Sequence, residues 1–186
     1  MQLALIFLTW ASSIWAAATL HRSGLAVHEK RDHLPNGWQK THKLDNDFVI
    51  PMSIALKQSN LDKLDEYIMS VSSPSSAEYG SHWTSKQVAE AFAPTEETAA
   101  SVLNWLRSAG ISLDRVYRTT SLGWLKFALT IKEAEELLDT EYHMYEHVKT
   151  GTTQVGCEKY HVPHHVKEHI GKRSCTVHGR GYMVLS

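Results

Sequence analysis

The chain predicts an α+β fold: a ferredoxin-like, split β-α-β open sandwich of an antiparallel sheet and helices, with an extra helix inserted. Three observations lead there. Apolar residues alternate strictly from Phe48 to Leu56, the signature of a half-buried strand. Two capping boxes, Thr84 with Gln87 and Thr130 with Glu133, announce helix starts. The elements then follow in the order strand, helix, short helix, helix, strand, strand, helix, strand, which is the split β-α-β succession with one addition.

Leu3 to Trp15 is an apolar run of signal-peptide length, too short for a membrane span. Small residues Ala16-Ala17-Ala18 suit cleavage after Ala18. Residues 1–18 are therefore expected to be a secretory signal, 19–46 a loop-like segment, 47–148 the folded core, 149–170 a linker-like His-rich segment and 171–186 an atypical tail. Within the second of these, Lys30-Arg31 is a dibasic candidate processing site, and Pro35-Asn36-Gly37-Trp38 is turn chemistry carrying an aromatic plug.

In the core, Phe48, Ile50, Met52, Ile54 and Leu56 form the first strand, with Pro51 demoting it toward a sheet edge or a bulge. Ser59 or Asn60 is placed to cap a helix whose one face holds Leu61, Leu64, Ile68 and Val71. Ser72 to Ser76 is a break. Tyr79 to Pro94 is an aromatic turn and a short helix, with Val88, Ala91 and Phe92 on one side and Pro94 closing it; Tyr79, Trp83 and Phe92 are expected to anchor it to the core. Thr95 caps the next helix, Glu96 and Glu97 suit the positive end of its dipole, Ala99, Val102, Leu103 and Leu106 make its stripe, and Gly110 ends it. Strands are expected over Ile111–Thr120 and Trp124–Leu129, turning at Ser121-Leu122-Gly123. Ile131, Ala134, Leu137 and Leu138 line the helix opened by Thr130, and Tyr142 to His147 alternates as a last strand. Pro163 to Ile170 suggests a short helix, and the tail beyond is small, basic and without pattern.

Composition narrows the function classes. At 186 residues, 42% hydrophobic and 21% charged, the chain is ordinary for a globular domain. A net charge of −1 argues against a nucleic-acid partner, and no membrane partner is expected once the signal is removed. Two cysteines are too few for a disulfide scaffold; a Cys157–Cys175 bridge and a lone buried Cys157 thiol both remain open. Twelve histidines are the oddity, because they allow a charge swing of twelve just below neutrality.

Four of them cluster in sequence as His161, His164, His165 and His169. Imidazoles at such spacing can hold zinc, yet no acidic motif or cysteine pair completes a site, so no metal and no cofactor are expected. The cluster is instead a candidate pH sensor. The carboxylate pairs Glu96-Glu97 and Glu135-Glu136 are solvated helix faces. No Gly-x-Ser-x-Gly elbow occurs, and nothing in the spacing of Ser, Asp and Glu nominates a triad, so no catalytic residue is assigned.

The run Tyr79-Gly80 to Ala93-Pro94, the helix with Val102-Leu103-Asn104-Trp105-Leu106 and Gly110, and the landmarks Val27 to Arg31, Pro35 to Trp38 and Tyr160 to Val166 stand in an order that resembles the activation (pro) domain of the sedolisin family of serine-carboxyl peptidases, fungal tripeptidyl-peptidase type. The resemblance covers roughly Val27 to Ile170. It implies the same sandwich architecture and a domain that assists folding of a peptidase catalytic domain, blocks its active site and is removed by autocatalysis in acid. That catalytic domain is the implied partner, and a secreted or acidic vacuolar location is implied with it. The family's Gly-Thr-Ser nucleophile turn is absent, the nearest string being Gly151-Thr152-Thr153, so the chain is expected to lack peptidase activity of its own and to stop short of the catalytic domain. The rival expectation is a free-standing inhibitor or a non-functional gene fragment.

Overall fold

The computed structural model describes residues 24–171, 176–178 and 182–185, the last two as backbone; the signal-like segment and Ala18 lie outside the described residues. The elements are β1 (Leu25–Lys30), β2 (Trp38–Lys43), β3 (Val49–Ala55), α1 (Leu64–Ser72, entered through a 3-10 turn at Leu61–Lys63), α2 (Ser85–Ala91), α3 (Glu96–Ser108), β4 (Tyr117–Arg118), β5 (Trp124–Thr130), α4 (Ile131–Leu138), β6 (His143–His147), β7 (Thr153–Gly156), β8 (Lys159–Pro163), α5 (His164–Lys167), β9 (Thr176–His178) and β10 (Tyr182–Leu185). This is an α+β open sandwich. β1 and β8 form an antiparallel ribbon, and the main sheet runs β2-β6-β7-β9-β10-β3-β5-β4.

The alternation read in the first strand sets the register. Ile50, Met52 and Ile54 face Leu129, Phe127 and Leu125 across the β3–β5 ladder, and all six are buried. Against this face lie the stripes of α3 (Ala99, Val102, Trp105, Leu106) and α4 (Ile131, Ala134, Leu137, Leu138), also buried. Helices that bury one stripe on a sheet are stabilised mainly by that burial, not by propensity.

Both predicted capping boxes are present. Thr84 Oγ1 accepts from Gln87 N while Gln87 returns to Thr84 N, and Thr130 and Glu133 repeat the arrangement. Thr95 caps α3 by accepting from Thr98 N at 3.2 Å, and Gly110, at φ +82°, supplies the left-handed residue that ends it.

Several expectations need correction. Pro51 does not lie at an edge: β3 is flanked by β5 and by the parallel β10. Among the described residues β10 pairs with Met52 to Ile54, so the missing N–H of Pro51 falls just outside that ladder. Neither Ser59 nor Asn60 caps α1. Ser59 Oγ instead donates to Ala93 O, and Asn60 Nδ2 to Ala91 O, tying the two ends of the helical insertion together. The strand expected over Ile111–Thr120 shrinks to Tyr117–Arg118, because a 3-10 turn at Leu113–Arg115 occupies its first half. A split β-α-β fold also expects β6 beside β3, whereas β7, β9 and β10 stand between them. The stretches read as loop-like (19–46), linker-like (149–170) and tail (171–186) contribute β1 and β2, β7, β8 and α5, and β9 and β10, respectively. β10 covers what would otherwise be an open edge of β3.

One polar contact adds a pH dependence. Arg115 makes a two-pronged bond to Glu133, at 2.7 and 3.0 Å, and also donates to Ala128 O. Hydrogen bonding from Arg115, helped by Thr130 at the cap, holds the Glu133 carboxyl at about 2, below its ordinary 4.5. A depressed carboxylate stabilises above its unfolded value and loses that contribution as pH falls from 4.5 toward 2. Both side chains are more than a third open to water or nearly so (40% and 34%), so the pair is worth only about 0.5–1 kcal/mol. Glu133→Gln keeps the capping geometry and removes the charge. Urea unfolding midpoints across pH should then show the variant weaker by that amount near pH 6 and equal to the parent near pH 2.

Candidate docking surface

The four sequence-adjacent histidines do not converge. His161, on β8, points toward the end of α4: its Nδ1 lies 2.8 Å from Asp139 O and 3.7 Å from Asp139 Oδ2. His164 and His165 are exposed on α5. His169 turns to α3, with Nδ1 3.0 Å from Thr98 Oγ1. Among the described residues no group of three or more His, Cys, Asp or Glu is placed to hold a metal ion. His143 and His147 do share a face of β6, where His147 contacts the Trp38 ring at 5.4 Å and Thr150 Oγ1 at 3.0 Å.

His161 borders a groove of about 1260 Å³ lined by Lys43, Lys132, Glu135, Asp139 and Lys159 among others. Its charges are largely matched: Lys43 meets Glu135 at 3.5 Å, Lys40 meets Glu158 at 3.0 Å, and Glu135 Oε1 accepts from Tyr142 N. Such a mixed surface offers neither the single-sign field of an ion site nor a nucleophile with a base. Burial pushes the Tyr142, Tyr145 and Tyr160 phenols up, which leaves them neutral core groups.

The dibasic pair is tied into structure. Lys30 ends β1, paired with Lys159 of β8, and its ammonium meets Asp32 at 3.1 Å; Arg31 N donates to Glu158 O at 2.7 Å. Cys157 is buried and disulfide-bonded; Cys175 lies outside the described residues. The lone-thiol expectation for Cys157 is thereby removed.

The C-terminal segment is fastened to the domain at many points. Val166 and Ile170 are buried in the core. His164 N donates to Gly24 O, Lys57 N to His169 O, and Gly171 N to Ala55 O, while Ile170 bridges to Leu56. Lys167 Nζ adds a bond to Val27 O, and His28 Nε2 lies 3.3 Å from Gly171 O. Residues 164–171 thus run out of the β1–β8 ribbon and end against Ala55–Lys57, where the chain leaves β3 for the helical insertion.

That insertion is lightly buried. Neither α1 nor α2 contributes a buried residue. It is held by the Tyr67 ring, 4.9 Å from Trp83 and 5.9 Å from Phe92. Trp83 and Phe92 thus pack on Tyr67 of the same insertion and stand outside the core cluster to which they were expected to anchor it, and Tyr79 is exposed. Of the helix face read as Leu61, Leu64, Ile68 and Val71, the first three are 53%, 40% and 49% exposed and Val71 is half-buried. The spacing alone predicts a packing face, because amphipathic spacing looks the same whether or not the rest of the chain covers it.

Residues 36–172 match the family described as Pro-kumamolisin, activation domain. The chain is 38% identical over 170 residues to "Tripeptidyl-peptidase sed1" of Aspergillus fumigatus, a match spanning 91% of this chain and 26% of that protein. It is 41% identical over 161 residues to "Tripeptidyl-peptidase SED1" of Arthroderma otae, spanning 87% and 23%, and 41% identical over 144 residues to "Aorsin" of Aspergillus oryzae, spanning 77% and 22%. The chain thus spans about a quarter of the length of the curated relatives it matches.

Proposed function

The chain belongs to the pro-kumamolisin activation domain family, and from that premise we propose that it acts as the activation and inhibitory domain of a secreted, acid-acting, serine-type tripeptidyl-peptidase. In this reading it assists folding of the catalytic domain, covers the active site and is released by processing in acid. The observation that carries the reading is the match itself: most of this chain, and only about a quarter of each relative, is shared. The peptidase chemistry named for those relatives therefore has most of its length elsewhere. The fastened segment 164–171 supports it as well, since it supplies a fixed point from which a catalytic domain or a linker can be held. A disulfide at Cys157 suits an oxidising, extracytoplasmic compartment. No described helix is long and apolar enough to cross a membrane.

Release in acid would draw on exposed imidazoles. Protonating His164 and His165 adds positive charge to α5 beside Lys167, and His161 and His169 sit where a proton would alter contacts to Asp139 and Thr98. Processing after Arg31 requires β1 to be drawn away from β8.

The test is inhibition in trans. Purified full chain titrated into mature Aspergillus fumigatus tripeptidyl-peptidase sed1 should suppress turnover near pH 6 and release it as pH falls to about 4. Replacing His161, His164, His165 and His169 together by Gln should move the release midpoint. Undiminished turnover at pH 6 with the chain in excess contradicts the inhibitory reading, and an unmoved midpoint removes the histidines from it.

A further inference from the structure

We propose that the disulfide at Cys157 is a latch against strand exchange: it keeps the hairpin β9–β10 in a slot between β3 and β7, and without it the hairpin of a second copy enters the same slot. The slot follows from the order of the strands. In the main sheet β9 and β10 stand between β7 and β3, while the match to the family ends at residue 172. The matched residues by themselves therefore leave two strand edges facing a gap, Met52–Ile54 of β3 and Gly156 of β7. Met52, Ser53 and Ile54 are all buried. Backbone groups left open along such an edge have no ready access to water, so an extended segment is needed there. Tyr182–Leu185 is the segment that fills it.

Apart from the covalent bond, the hairpin is held by few backbone pairs. Among the described residues Met183, Val184 and Leu185 pair with Met52, Ser53 and Ile54 in parallel, and Thr176 pairs with Gly156. A short parallel ladder is among the weaker pairings. A second copy carries the same hairpin, so every pair lost on leaving one sheet is regained in the other, which makes exchange a low-cost route to a dimer. The disulfide stands at the weak point. Cys157 directly follows Gly156 and is buried and disulfide-bonded. The sequence holds one other cysteine, Cys175, directly before Thr176, the residue that pairs with Gly156. A bond within the chain therefore ties the hairpin to its own sheet where it meets β7, a device that specifies against swapping.

Light scattering on a sizing column, run on the full chain over about a hundredfold range of concentration, tests the latch. The oxidised parent should be a monomer throughout. Dithiothreitol, which gives two electrons and two protons and leaves two protein thiols, should produce a dimer whose share rises with concentration. Cys157→Ala/Cys175→Ala should do the same without reductant and with no thiol left to form an intermolecular bond. In the dilute reduced chain, hydrogen exchange on peptides covering β3 should be at least about tenfold faster than in the oxidised parent, because the unlatched hairpin opens more often. A synthetic peptide with the sequence of residues 176–185, in excess, should return the reduced chain to monomer mass by taking the slot. Monomers at every concentration in both the reduced parent and the variant overturn the latch, as does a dimer equally abundant in the oxidised parent. Unchanged exchange in β3 on reduction overturns it too. A dimer that the peptide leaves intact shows that the slot is not its seat and overturns the exchange. Loss of far-ultraviolet circular dichroism in both the reduced parent and the variant overturns it as well, since the fold would then depend on the bond and no exchangeable hairpin would remain.

Discussion

Leu106→Ala should destabilise the domain by about 2–5 kcal/mol, the range for emptying a fully buried leucine site. Leu106 is completely inaccessible, on the face of α3 that packs over the β3–β5 ladder. The same core cluster holds Ile54, Leu125 and Leu138, from three different elements. A void there lacks partner atoms on every side, and the surrounding strands are held by ladder bonds that resist collapse into it. For a domain of this size each kcal/mol moves the thermal midpoint by about 2–4 °C, so differential scanning calorimetry should show a fall well beyond error. Leu103, on the same helix but only partly buried, should give a smaller loss when truncated. Equal effects at the two positions would mean that the core is not where this account puts it.

Cys157→Ala should cost a comparable amount, about 2–5 kcal/mol, through loss of its disulfide. Cys157 is 3% exposed and sits between β7 and β8. The next strand of the sheet, β9, joins β7 through the register pair Gly156–Thr176 among the described residues. A covalent tie at this point restricts the unfolded chain and helps keep β9 and β10 beside β7 and β3. Alanine is the informative replacement, since serine would add a buried hydroxyl with its own desolvation cost. The variant should melt where the reduced parent melts, and reductant should leave the variant unchanged. Coincident midpoints for oxidised parent, reduced parent and variant would remove the disulfide from the stability account.

Much of the core was legible because it rests on local patterns. The alternation from Ile50 to Leu56, the stripes of α3 and α4, and both capping boxes read directly from spacing. What escaped was non-local. The strand pairing of Leu25–Lys30 with Lys159–Pro163 joins segments more than a hundred residues apart, and neither has a strong alternating pattern. Backbone pairing in β9 and β10 leaves little trace in composition. Pro51 misleads because the rule against internal proline assumes that its missing donor would be needed, and here Pro51 lies outside the described register pairs with β10. At the site, the histidines were adjacent in sequence but diverge because the chain turns at Pro163 from strand into helix. The stripe Leu61, Leu64 and Ile68 was visible as a pattern, but its exposure depends on which surfaces the rest of the chain covers.

The most direct measurement is the mass of the assembly formed when the full chain and mature Aspergillus fumigatus tripeptidyl-peptidase sed1 are mixed near pH 6, read by light scattering on a sizing column. A domain made to rest on a peptidase body should give one species carrying one copy of each. Two species eluting at their separate masses, with the chain folded and its disulfide intact, would contradict the account.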